Sequence, residues 1–204
     1  MEVNYGKSLK EYTSNYPVTF YLIAINTCVL VISILLDFIY ESRVLKSLLG
    51  INTNEFEPWR FVSYAFVHNG LQHYLSNHFF FLIMGPPLEI ALGKIRYVLF
   101  IITSILSTSV IVYIFDSAEG VVGASGIGFG MMAIFIYLFV FVKHVMSKRL
   151  KIVVLAWTII AWITTFTIAG TSISGHVGGF VGGALFSLIA LNKEKIVGNW
   201  NRKR

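Results

Sequence analysis

Charge is what this chain has least of. Only 13% of its 204 residues are Asp, Glu, Lys or Arg, about half the share usual in a soluble domain, while 56% are apolar. Between Lys151 and Lys193 there is no acid and no Lys or Arg at all, a run long enough for two bilayer-crossing helices of about 20 residues each. A soluble globular domain is thereby excluded. Aspartate occurs only at Asp37 and Asp116, each at the end of an apolar run and neither beside a glycine, so a pair of intramembrane catalytic aspartates cannot be built. The one cysteine, Cys28, lies within an apolar segment, which rules out an intramolecular disulfide. No H-E-x-x-H occurs, and His68, His73 and His78 are five apart, a spacing that turns successive rings about 140° around a helix. No metal site and no cofactor are expected. The first apolar run has no small-residue cleavage site after it and reads as a retained span rather than a signal peptide.

What is present is a series of apolar runs with cations between them. Six segments, about 17–40, 71–92, 97–115, 121–142, 152–169 and 174–192, predict an all-α polytopic membrane protein: one domain over 1–204, a bundle of six transmembrane helices. Apart from Arg43, Lys46 and Arg60, every Lys and Arg falls on one side of this arrangement: Lys7, Lys10, Lys94, Arg96, Lys143, Lys148, Arg149, Lys151, Lys193, Lys195, Arg202, Lys203 and Arg204. The positive-inside rule assigns that side, with both termini, to the cytoplasm. The net charge of +6 therefore reports topology, and nucleic acid is not an expected partner. The long outer loop between the first two spans, roughly 41–70, carries Val44, Leu45, Leu48 and Leu49 at helical spacing and an aromatic "PWRFVSYAF", a pattern suited to lying in the membrane interface.

The second span is the least apolar, with Gln72, His73, Asn77, His78, "GPP" and Glu89, groups that hydrocarbon does not tolerate unless they face protein or water. In the predicted topology His73 and Asn77, Ser125 of the fourth span and His176 of the sixth share one depth near the outer face. Gly126 and Gly130, Gly175, Gly179 and Gly183, and Gly178 and Gly182 recur at i, i+4 intervals, faces on which helix backbones approach closely. Packing of the fourth and sixth helices on these faces would make Ser125 and His176 neighbours. A serine beside glycine is often only a packing residue, and a membrane histidine is often only a hydrogen-bonder. Together they offer a nucleophile and a base, and His73 and Asn77, i, i+4 on one face, offer donors for an oxyanion. An acid to complete a triad is missing. A small transporter remains open, although spans three to five lack the ionisable residues that would carry ions.

These residues resemble the rhomboid intramembrane serine proteases. The likeness runs from about Glu57 to Leu185: "EPWRF" at 57–61, "HNGLQHYLSN" at 68–77 as H-x-x-x-x-H-x-x-x-N, "LEIALG" at 88–93 as E-x-x-x-G, "GASG" at 123–126 as G-x-S-G, and "GHVGGFVGG" at 175–183 as H-x-x-G-x-x-x-G. The resemblance implies that Ser125 is the nucleophile and His176 the general base, with His73, Asn77 and the Ser125 N–H forming the oxyanion hole. It further implies that Trp59, Arg60, Glu89, Gly93, Gly123, Gly126, Gly179 and Gly183 are architectural. Many bacterial members carry a tyrosine four residues after the nucleophile, stacked on the histidine; Phe129 stands there and keeps the ring without the hydroxyl. The chain looks like the minimal six-helix form. The implied activity is cleavage of single-span membrane proteins at the outer edge of the lipid bilayer, the rival being an inactive rhomboid-like protein that binds membrane helices without cutting them.

Overall fold

The computed structural model describes residues 3, 5–117, 119–142 and 146–201. Lys143, Arg202, Lys203 and Arg204 of the cation pattern lie outside them. The order is α1 (Leu9–Asn15), α2 (Pro17–Tyr40), α3 (Val44–Leu49), β1 (Ile51–Asn52), α4 (Arg60–Ser63), a 3-10 turn (Tyr64–Phe66), α5 (Leu71–Leu92), α6 (Lys94–Phe115), β2 (Glu119–Val121), α7 (Ser125–Phe141), α8 (Lys148–Thr167), α9 (Ile173–Ala190) and α10 (Lys193–Asn201). Among the described residues five helices, α2, α5, α6, α8 and α9, are long and apolar enough to cross a membrane. The protein is a multi-pass helical membrane protein.

The fourth expected span, 121–142, is the one that differs. Its helix starts only at Ser125, because Ile51 and Asn52 pair antiparallel with Val121 and Glu119 and draw the preceding residues into a short ribbon. Gly123, with φ +125°, then turns the chain into the helix. The remaining 17 residues of α7 rise about 25 Å, short of a hydrocarbon core of about 30 Å.

Helix starts are set by what binds their unpaired N–H groups. Pro17 opens α2, where its missing N–H costs nothing, and the next two N–H groups are bound from α5 rather than locally. Glu89 accepts from Val18 N at 3.0 Å, from Thr19 N at 2.9 Å and from Thr19 Oγ1 at 2.8 Å. A buried carboxylate is thus matched by three donors and the positive end of a helix dipole. Within α5, Pro87 leaves the Ile83 carbonyl without its helical donor, and the Tyr5 hydroxyl donates to it at 3.1 Å. Ser147 and Ser172 cap α8 and α9, accepting from Leu150 N and Gly175 N.

At the centre α9 is wedged between α6 and α7, using two glycine faces. A Cβ on Gly179 or Gly183 would fall on the carbonyls of Gly126 or Gly130 in α7. One on Gly178 would lie 2.8 Å from the Thr108 backbone, and one on Gly182 2.7 Å from Ser107 Cβ, both in α6. The sequence reading sets both faces against the fourth span; only Gly179 and Gly183 meet it, and Gly178 and Gly182 serve the third. Here Ser107 donates to the Gly178 carbonyl at 2.8 Å, a polar tie available because no side chain intervenes.

The segment 41–70 is folded on itself. Arg60, 8% exposed, donates to the Ser47 and Gly50 carbonyls at 2.6 and 2.7 Å and pairs with Glu57, so that one guanidinium closes the carboxyl end of α3. Trp59 Nε1 donates to Leu48 O at 3.2 Å while its ring stays half exposed. Tyr64 and Ser109 fasten this segment to α6 through the Ile105 and Phe61 carbonyls.

Candidate active site

A cavity of about 930 Å³ opens among α5, α7, α8 and α9, and Ser125, His176, His73, Asn77 and Phe129 all line it. Ser125 is the first residue of α7, where the helix has no carbonyl four residues back for its N–H. Its backbone N–H therefore stands at the positive end of the helix dipole, next to its own hydroxyl. His176 lies one turn into α9, and the glycine contact of α9 with α7 sets the distance between them. Ser125 Oγ is 3.0 Å from His176 Nε2, a hydrogen bond along which a proton passes without rearrangement.

The ring of His176 is held on one face and at its second nitrogen. Phe129 stacks on it with centroids 4.1 Å apart and planes 17° from parallel, and Trp162 meets Phe129 edge-on at 4.8 Å. Thr165 Oγ1 lies 2.8 Å from Nδ1. Thr165 carries no sequence signal, since it is one of several threonines in "ITTFTIAGT" and could be read only as a helix-packing residue.

His73 and Asn77 face the same cavity from α5. The Asn69 N–H points at His73 Nδ1 over 3.4 Å, which leaves the ring proton on Nε2 as a donor. A Cβ at Gly123 would sit 2.5 Å from this ring, so the glycine before the serine is what admits the imidazole beside the start of α7. Asn77 donates one amide hydrogen to the His73 carbonyl at 3.1 Å and keeps a second. Three N–H groups, those of Ser125, His73 and Asn77, thus border one cavity.

His68 differs from the sequence reading. It precedes α5 instead of riding on it, so the rotation argument does not apply to it, and its ring centroid lies 5.3 Å from both His73 and His78. Burial, and to a smaller extent the two neighbouring imidazoles, push its pKa down to about 3, which keeps the ring neutral near pH 7. Asp116, at the end of α6, accepts hydrogen bonds from Ser172 and Ser174 and so fixes the approach to α9 two residues before His176. Glu89 and Gly93 lie at the far end of α5, away from the cavity, as do Gly179 and Gly183 along α9.

A serine hydroxyl on an imidazole, flanked by N–H donors inside a helical membrane bundle, is the set of groups that acyl transfer requires. The family follows from the comparisons. The chain belongs to the rhomboid family, whose domain model matches residues 55–193. It is 26% identical over 148 residues to "Putative rhomboid protease YdcA" of Bacillus subtilis, covering 72% of this chain and 73% of that protein. It is 26% identical over 139 residues to "Rhomboid protease GluP" of the same organism, covering 68% and 27%, and 38% identical over 76 residues to "Rhomboid-related protein 2" of mouse, covering 37% and 25%. The last two relatives are much longer than the part this chain matches.

Proposed function

We propose that this protein is an intramembrane serine endopeptidase that hydrolyses peptide bonds of single-span membrane proteins near the outer face of the bilayer through a Ser125–His176 dyad. The observation that carries this reading is the 3.0 Å contact between Ser125 Oγ and His176 Nε2 within a cavity that His73 and Asn77 also line. In the reaction His176 Nε2 takes the hydroxyl proton as Ser125 Oγ bonds to the substrate carbonyl carbon. The oxyanion so formed is met by the N–H groups of Ser125, His73 and Asn77. Collapse breaks the peptide C–N bond as His176 returns its proton to the leaving amine. Water then attacks the acyl-serine, again with His176 as base, and releases the second product. The short helix α7 is the fourth of six crossings in this reading. Its 17 residues, fewer than a full crossing needs, support a position for Ser125 below the membrane surface, and the cavity lined by α5 would admit water to it.

The test compares wild type with Ser125→Ala and His176→Ala, each purified in folded form, on a panel of membrane-helix substrates and with a serine-reactive fluorophosphonate. Wild type should cleave and be labelled, and both variants should fall to background. A folded Ser125→Ala protein that cleaves at the wild-type rate would overturn the assignment. Binding of membrane helices without cleavage by wild type would instead favour the non-catalytic rhomboid-like reading.

A further inference from the structure

The second nitrogen of His176 has a partner whose proton is already committed. Thr165, 2% exposed, sits on the face of α8 that also supplies Trp162 to the ring stack. Its Oγ1 is 2.7 Å from the Ala161 carbonyl one turn back and 2.8 Å from His176 Nδ1. A hydroxyl has one hydrogen and a carbonyl only accepts, so the contact with Ala161 uses that hydrogen. The contact with Nδ1 is then a hydrogen bond only if Nδ1–H donates to Thr165. A neutral imidazole carrying its proton on Nδ1 has a bare lone pair on Nε2, the atom facing Ser125. One arrangement of protons satisfies all three contacts, and in it the histidine is a base.

We propose that Thr165 is the positioning residue of the catalytic histidine: its oxygen accepts from Nδ1 and holds His176 in the tautomer that can deprotonate Ser125, the place an acid would take in a triad. The inference rests on the reading of Ser125 and His176 as a dyad. An uncharged acceptor suits a site walled by Phe129, with Trp162 packed behind that ring, where a carboxylate would bear a desolvation cost that an oxygen already bonded to its own helix avoids.

The tautomer is read directly by NMR of protein carrying isotopically labelled histidine nitrogens, the His176 signals being those lost in His176→Ala. Wild type should show Nδ1 protonated and Nε2 bare. Thr165→Val, which keeps the shape and removes the oxygen, should shift population to the Nε2–H form and lower kcat about tenfold, the size of one net hydrogen bond, with KM unchanged. Thr165→Ser should restore both. An Nε2–H ring in wild type, a measurement that needs no variant to fold, would overturn the proposal, as would wild-type kcat in folded Thr165→Val. Loss of melting temperature alone, with tautomer and kcat intact, would reduce Thr165 to a tie between helices and equally overturn it. Failure of the functional reading looks different: wild type would resist fluorophosphonate while the tautomer still reported on Thr165.

Discussion

Asn77 illustrates how one side chain serves two ends. One amide hydrogen ties it to the His73 carbonyl, and the side chain lines the cavity that Ser125 also lines. In the proposed reaction charge grows on the substrate oxygen only as Ser125 attacks, so a donor aimed there would count more in the transition state than at rest. Asn77→Ala is expected to lower kcat by roughly 10- to 1,000-fold, the upper part of that range being the cost of one lost oxyanion donor elsewhere. His73→Ala should cost at least as much. A purely structural tie would cost only about 0.6 kcal/mol of stability and nothing in rate per folded molecule. Measuring kcat and melting temperature together separates the two, and a rate that falls only with the folded fraction would return both residues to packing. At this scale the sequence was most informative where chemistry is distinctive. His73, Asn77, Ser125 and His176 stand out because polar groups are costly in an apolar run. Thr165 does not, because a threonine bonded to its own helix is tolerated anywhere in a membrane segment.

Among the elements, α9 determines the geometry of the rest. The i, i+4 glycines were legible in the sequence as contact faces, but spacing does not name the partner, and two faces offset by one residue serve two different helices. Gly179→Val would drive a branched side chain into the Gly126 carbonyl and separate the helices that carry the serine and the histidine. Both melting temperature and activity should drop, the activity loss exceeding tenfold, whereas Ala190→Val at the other end of α9 should change either only mildly. Equal effects would count against the glycine contact as the spacer of the dyad. The start of α7 shows the opposite limit of sequence reading. "EGVVGASG" continues the apolar run without a break, yet the ribbon with Ile51 and the turn at Gly123 withhold four residues from the helix. Strand pairing over two or three residues is a tertiary event that no local period announces.

Considered whole, the molecule has a one-sided distribution of cations. Lys7, Lys10, Lys94, Arg96, Lys148, Arg149, Lys193 and Lys195 precede or follow spans at one end of the bundle, opposite the end where Ser125 begins α7. Reporter fusions after Arg149 and Arg204 should accordingly read cytoplasmic, and one in the connection from Asp116 to Glu119 should read external. The reverse pattern would move the proposed chemistry to the inner face. The positions of the five long apolar helices were readable from hydropathy because each such run has few alternatives in lipid, whereas the fourth expected span is the shorter α7. How the helices pack, and therefore the shape of the cavity, was not, since lipid-facing and buried positions are both apolar and only contacts distinguish them.

The wedge position of α9 also orders events in time. His176 lies 51 residues after Ser125, on the last of the long apolar helices, and it reaches the serine only when both glycine faces of that helix have found α6 and α7. A chain growing at about 5–20 residues per second holds the serine for roughly 3–10 s before the histidine has been synthesised. On the proposed reading, the hydroxyl lacks its His176 partner during that interval and the nascent protein would be inert toward the membrane helices being inserted around it. The arrangement gives the proposed protease a zymogen-like period that needs no propeptide and ends when the bundle closes.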